Sequence, residues 1–184
     1  ALIEGRGDEL PVSAVPADGT FPTGTDKWEK RAVAEEVPVW AEGPCIQCNK
    51  CALVCPHAAI RAKVFPEVAL KGAPADFPRM AWKGRDFPAG TAYAIAVSPD
   101  DCTGCRLCVE VCPAADKTNP SRKALNMAPV AGVRDKETRD FNVFLGLPLP
   151  DRARIDAATP KGSQLLEPLF EFSGACAGCG ETPY

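Results

Sequence analysis

At 184 residues the chain has room for one domain with extensions, and a formal net charge of -3 denies it the basic face of a nucleic-acid-binding protein. A hydrophobic content of 46% excludes disorder throughout, and no apolar run approaches the roughly 20 residues of a membrane span. Nineteen prolines, roughly twice the usual share, predict long irregular connections, while ten cysteines against a single histidine mark where the chemistry lies. No signal peptide opens the chain, which reads Ala1-Leu-Ile-Glu-Gly-Arg6, so a cytoplasmic setting is expected. The missing initial Met and the stop at Tyr184, directly after a cysteine motif, give both ends the look of cuts.

In chain order, residues 1–41 form an extended strap, punctuated by Pro11, Pro16, Pro22 and Pro38 with Gly19 and Gly24. Within it, the stretch from Asp18 to Thr25 lacks the Gly-Lys-Ser/Thr ending of a phosphate loop. A short helix is expected near Trp28, with Glu29, Lys30 and Arg31 as a solvated face. Residues 42–149 are expected to form an α+β domain. Val39-Trp40 leads into a first cysteine run and Tyr93–Val97 is a strand leading into a second. Short helices should follow Cys51 and Cys108, turning Ala52-Leu-Val54 and Val109-Glu-Val111 inward. Residues 62–91, with Pro66, Pro74, Pro78 and Pro88, are expected to be an insertion between the runs, anchored by Trp82 and Phe87. A helix over Glu137–Leu145 presents Phe141, Phe144 and Leu145 on one face. Pro148, Pro150 and Pro160 then mark a linker, and residues 150–184 lead into another domain.

The cysteines fall into three groups. Cys45, Cys48, Cys51 and Cys55-Pro56 follow the pattern C-x2-C-x2-C-x3-C-P, and Cys102, Cys105, Cys108 and Cys112-Pro113 repeat it 57 residues later. Three thiolates two residues apart wrap one [4Fe-4S] cubane, and the fourth, on the turn leaving the loop, points to the other cluster. Proline after it fixes φ and helps hold that exit. The expected ligand sets are therefore Cys45, Cys48, Cys51 and Cys112 for one cluster, and Cys102, Cys105, Cys108 and Cys55 for the other. Structural zinc, which favours separated pairs or histidine, and a disulfide framework, which suits secreted domains, are the competing readings. Lys50 and Arg106, inside the loops, either supply cations that raise a cluster's potential or point into water. His57 reads as a loop residue. The third group, Cys176 and Cys179 in a glycine-rich stretch, is either a stray thiol pair or half of a third metal site.

With these stretches in hand, the chain resembles the pyruvate:ferredoxin (flavodoxin) oxidoreductase family across nearly its whole length. The segment Asp8–Ala14, the stretch Asp18–Thr25 and Trp28-Glu-Lys-Arg31 look like that family's EKR region. Cys45–Ile60 looks like the start of its two-cluster, bacterial ferredoxin-like domain. Lys161-Gly-Ser-Gln164 and Phe172–Tyr184 look like the start of its thiamine-binding domain. The resemblance implies conversion of pyruvate and coenzyme A to acetyl-CoA and carbon dioxide, with electrons passed singly to ferredoxin or flavodoxin. It implies thiamine diphosphate with Mg2+ and three clusters in a homodimeric enzyme, Cys176 and Cys179 supplying half of the cluster nearest the thiamine. It also puts the second run in the middle and the first run outermost. The thiamine-binding Gly-Asp-Gly stretch, the remaining ligands of the third cluster and a coenzyme A site are not found. The chain therefore reads as an internal relay segment, joined to the rest of that polypeptide and not competent alone, with no membrane or nucleic-acid partner. A free-standing two-cluster carrier and a ferredoxin-like subunit of another oxidoreductase are the alternatives.

Overall fold

The computed structural model describes residues 4–19 and 30–168. The helix expected near Trp28 falls largely outside them, and residues 30–34 have no regular structure. Strand β1 (Glu36–Trp40) pairs antiparallel with β5 (Leu125–Pro129), from Glu36 opposite Pro129 to Trp40 opposite Leu125. Strand β2 (Ile60–Pro66) pairs along its whole length with β4 (Thr91–Val97), and the two-residue β3 (Met80–Ala81) lies on the other side of β4. The strand before the first cysteine run thus pairs with the strand after the second, and the strand before the second run with the strand after the first. Each sheet joins strands from both halves of the repeat, and each run links one sheet to the other.

Directly opposed residues of an antiparallel pair share a face. On one face of the three-stranded sheet stand Arg61, Lys63 and Phe65 with Ala92, Ala94 and Ala96; on the other stand Ile60, Ala62 and Val64 with Tyr93, Ile95 and Val97. The first face receives helix α3 (Val130–Gly146), and the three alanines leave room for it to approach. Phe141 and Phe144 stack on each other there, the Arg61 guanidinium lies 5.5 Å from the Phe141 ring centre, and Lys63 Nζ lies 4.7 Å from that of Phe144. Lys63 Nζ also donates to the carbonyls of Phe144 (2.9 Å) and Leu147 (3.0 Å), at and just beyond the C-terminal end of the helix. Burial holds the Lys63 ammonium below its ordinary pKa. The opposite face looks toward the cysteine loops.

Two expectations are revised. Helix α3 starts seven residues earlier than Glu137, and its inward stripe is Glu137, Asp140, Phe141 and Phe144; Leu145 is 48% exposed. The stretch after Pro148 is also less free than its prolines suggest. A short helix, α4 (Pro160–Ser163), is capped by Thr159, whose hydroxyl accepts from Gly162 N, with proline in its first turn. Gly162 packs so tightly that a β-carbon would lie 2.0 Å from the Asp156 carbonyl oxygen. Leu165, just beyond, is buried in the core.

Candidate metal centre

The 57-residue repeat extends to the backbone. Gln47 (φ 59°) and Asn49 (φ 59°) in the first loop correspond to Gly104 (φ 68°) and Arg106 (φ 65°) in the second, all left-handed. Alternating the hand of successive residues turns their N–H groups inward, the concave nest that binds anions and Fe–S groups. In both loops the N–H two residues after the first cysteine donates to that cysteine's sulfur: Gln47 N to Cys45 Sγ and Gly104 N to Cys102 Sγ, each at 3.4 Å. Left-handed geometry is unfavourable for Gln47, and its amide offsets the cost by accepting from Lys83 N (2.8 Å) and donating to the Ala81 carbonyl (2.8 Å). At Gly104 a β-carbon would crowd the Glu36 carbonyl at 3.1 Å, so glycine is required there. One-turn helices then carry the third cysteine of each run: α1 (Lys50–Leu53) holds buried Cys51, and α2 (Leu107–Glu110) holds buried Cys108.

Sulfurs gather across the runs, not only within them. Cys48 and Cys112 both lie close enough to disfavour ionisation of Cys45, as Cys45 and Cys48 do for Cys51. Cys55 and Cys105 act likewise on Cys102, and Cys102, Cys55 and Cys105 on Cys108. Cys55, Cys102, Cys105 and Cys108 also line one small cavity, closed by Ile60 and Val97. Cys108 disfavours ionisation of Cys51 too, so the two groups are neighbours.

Burial dominates these thiols. It pushes Cys45, Cys51 and Cys102 up and Cys108 to about 12, so stable thiolates there need a bound cation to compensate them. All eight cysteines of the two runs are unpaired, which removes the disulfide reading. Among the described residues no three His, Cys, Asp or Glu side chains converge as around a single ion; thiolates on one zinc would stand only about 3.8 Å apart, given a Zn–S bond of about 2.3 Å. Sulfur-only donors and two amide nests fit iron–sulfur clusters. The buried indole Nε1 of Trp40, in the same core, has no hydrogen-bond partner.

Some surrounding residues follow expectation and others do not. Lys50 is exposed, and Arg106, also exposed, pairs with Glu36. Ala52 is buried as expected, but Leu53 is 46% exposed. His57 is a loop residue whose Nε2 lies 3.1 Å from Thr103 Oγ1. Lys30, read as part of a solvated face, instead reaches the buried Asp101 carboxylate at 2.6 Å, one residue before Cys102. Sequence reasoning also missed the amide pair inside the first run. Asn49 accepts from Tyr93 Oη (2.6 Å) and donates to the Lys161 carbonyl (2.7 Å), and the Lys161 ammonium lies 4.1 Å from the Trp82 ring centre. The available signal was two amides, Gln47 and Asn49, between the cysteines of the first run. Cys176 and Cys179 lie outside the described residues.

Residues 44–115 match the 4Fe-4S dicluster domain, and residues 1–34 match EKR, a domain of unknown function. The chain is 57% identical over 179 residues to a pyruvate-flavodoxin oxidoreductase of Nostoc sp., covering 97% of this chain and 15% of the relative. It is 53% identical over 184 residues to a probable pyruvate-flavodoxin oxidoreductase of Escherichia coli, covering 100% and 16%. Against the pyruvate:ferredoxin oxidoreductase of Moorella thermoacetica the identity is 50% over 179 residues, covering 97% and 15%. The chain thus spans about 15% of the length of these curated relatives. Among the described residues no helix is long and apolar enough to cross a membrane. Both cysteine runs lie inside the matched dicluster domain, and nearly all of the chain is similar to a segment of pyruvate-flavodoxin oxidoreductases.

Proposed function

We propose that this segment holds two [4Fe-4S] clusters, one on Cys45, Cys48, Cys51 and Cys112, the other on Cys102, Cys105, Cys108 and Cys55, as the relay of an enzyme that oxidises pyruvate with coenzyme A. The observation that carries the reading is the crossed gathering of sulfurs, Cys112 beside Cys45 and Cys55 beside Cys102. Bound there, such clusters accept and release one electron at a time. The chain's own part is to hold eight thiolates, direct Gln47 and Gly104 N–H groups at sulfur, and keep water from Cys45, Cys51 and Cys108.

The organisation proposed around this core keeps residues 1–41 as a strap, 42–149 as the cluster domain and 150–184 as the approach to a thiamine diphosphate- and Mg2+-binding domain. Within the cluster domain, residues 62–91 are an insertion relative to a compact two-cluster ferredoxin; its later part, with β3, Trp82 and Lys83, covers the first cysteine run. Lys83 Nζ donates to the Cys45 carbonyl at 2.7 Å, which supports that role. Cys176 and Cys179 supply half of a third cluster. As the resemblance implies, the second run is the middle centre of the relay and the first run the outermost. The electron acceptor is ferredoxin or flavodoxin, the setting is the cytoplasm, and the complete enzyme is a homodimer.

Anaerobic reconstitution tests the reading. The chain should take up about eight irons and about eight acid-labile sulfides and show broad thiolate-to-iron absorption that bleaches with dithionite. Stoichiometric zinc without visible absorption would sink the proposal.

A further inference from the structure

Lys50 and Arg106, the cations inside the two loops, are both exposed, and Arg106 is paired with Glu36. Among the described residues, the cation bonded to a cysteine of either run comes from outside both. It is Lys83, two residues beyond β3, whose Nζ donates to the Cys45 carbonyl at 2.7 Å. We propose that Lys83 sets the reduction potential of the first-run centre, raising it above the value that centre would have without the charge. The inference rests on the cluster assignment above and gives the stretch between the runs a part in the relay.

Lys83 is fixed at both ends. Its backbone N–H donates to Gln47 Oε1 (2.8 Å), and Gln47 Nε2 donates to the Ala81 carbonyl (2.8 Å), so residues 81–83 are tied to a fully buried loop side chain. The N–H of that same Gln47 bonds Cys45 Sγ, and the Lys83 ammonium closes the circuit on the Cys45 carbonyl. Within one cysteine the carbonyl oxygen and the sulfur are four bonds apart, no more than about 5 Å. The charge therefore stands within about 8 Å of Cys45 Sγ, inside the Debye length of about 10 Å at 0.1 M salt. Among the described residues no carboxylate lies within ion-pairing reach of Lys83, so nothing there offsets its charge.

The second run is supplied differently. Lys30 and Arg106 are each paired with a carboxylate, Asp101 and Glu36. Lys123 Nζ donates to the Val109 (2.8 Å) and Glu110 (3.3 Å) carbonyls at the end of α2, so its acceptors belong to no cysteine. Reduction adds negative charge to a centre, and a cation held nearby favours the reduced form. The effect of Lys83 falls on the first run, and in the order proposed above a higher potential there favours passage of electrons outward from the second.

Redox titration of the reconstituted chain followed by EPR, with the first-run signal assigned as the one that Cys112→Ala loses, reads the effect. Lys83→Met keeps the stem and removes the charge. At about 8 Å, in surroundings between protein surface and bulk water, the loss of one charge should move the first-run reduction equilibrium about fivefold toward the oxidised form, about 41 mV for one electron. The second midpoint should stay within about twofold. Raising the salt to about 1 M should shrink the first-run difference, and Lys83→Arg should hold the wild-type midpoint within about twofold. A first-run shift below about twofold, equal shifts at both centres, a difference indifferent to salt, or an Arg variant that moves as far as the Met variant overturns the inference and leaves the relay reading intact. Should Lys83→Met fail to load, acetyl-lysine installed at position 83 keeps the stem and an N–H without the charge, and the same limits apply. If that chain also takes up no cluster, the part of Lys83 is structural and the inference is overturned. A wild-type chain that takes up no iron and sulfide removes the relay reading, and the role of Lys83 with it.

Discussion

Replacing Lys30 with Ala should loosen the second cysteine run without touching a cysteine. The Asp101 side chain is only 5% exposed, and its Oδ2 accepts from Lys30 Nζ and from Ser98 Oγ, each at 2.6 Å. Ser98 in turn accepts from Cys102 N through its carbonyl (3.1 Å), and Ala32 N donates to the Asp100 carbonyl (3.0 Å), so the strap is stitched to the segment that feeds Cys102. Without the ammonium, a buried carboxylate keeps one neutral donor. Removing one partner of a fully buried pair costs about 3–5 kcal/mol. Lys30 is 31% exposed, however, and water replaces part of the bond. The expected cost is nearer that of one hydrogen bond to a charged group, about 2 kcal/mol. For a chain of this length that corresponds to a fall in Tm of about 4–8 °C. The assay is anaerobic thermal unfolding of the loaded chain at one scan rate, with the rate of iron release to a chelator measured alongside. Iron from the second run should leave first. A double-mutant cycle with Asp101→Asn isolates the pair. A loss below about 1 kcal/mol, or costs that simply add, would refute the stitch, since surface ion pairs contribute up to about that much.

Three further outcomes are expected. Cys112→Ala should damage the centre built on Cys45, Cys48 and Cys51, and Cys55→Ala the other, as read by the EPR signal that each variant loses; loss of the signal from the variant's own run would contradict crossed ligation. Burial raises the Glu137 carboxyl from about 4.5 to about 7, so its neutral form is favoured in the fold, and stability present below about pH 4.5 is lost as pH rises through about 7. The chain should be about 2–3 kcal/mol less stable at about pH 8 than at about pH 5, and Glu137→Gln should flatten that part of the profile. Asn49→Gly keeps the left-handed backbone but removes the bond to Lys161, so hydrogen exchange at Gly162, Ser163 and Leu165 should speed up about tenfold, the equivalent of one hydrogen bond; unchanged rates would mean that Leu165 alone holds the segment.

The spacing of the cysteines was enough to mark the two cysteine loops, because those loops are local: two residues between thiols, a turn and a proline. It did not reveal β2. Arg61 and Lys63 break its apolar pattern, yet both are buried, their charges resting on the rings and carbonyls of α3, a helix some 80 residues away. Prolines from Pro66 to Pro88 made the whole stretch look irregular, although only the part between β2 and β4 is mostly so. Lys30 was misread for a similar reason. Its partner, Asp101, stands 71 residues away, and no local pattern distinguishes a lysine facing water from one facing a buried carboxylate. Leu53 and Leu145 went the other way: their apolarity placed them inward, yet they are 46% and 48% exposed.

The pairing of β1 with β5, and of β2 with β4, also bears on how the protein is made. A ribosome emitting about 5–20 residues per second delivers β1 several seconds before β5 exists. During that interval Trp40 and the first cysteine loop have left the ribosome, yet the strand that completes their wall has not been synthesised. The first sheet to close is the one made of β2, β3 and β4, which needs nothing beyond Val97. Assembly of iron and sulfide at either run should therefore wait until Leu125–Pro129 is in place, and a chain stalled between Cys55 and Cys102 would present an unfinished set of thiols to any stray metal in the cell.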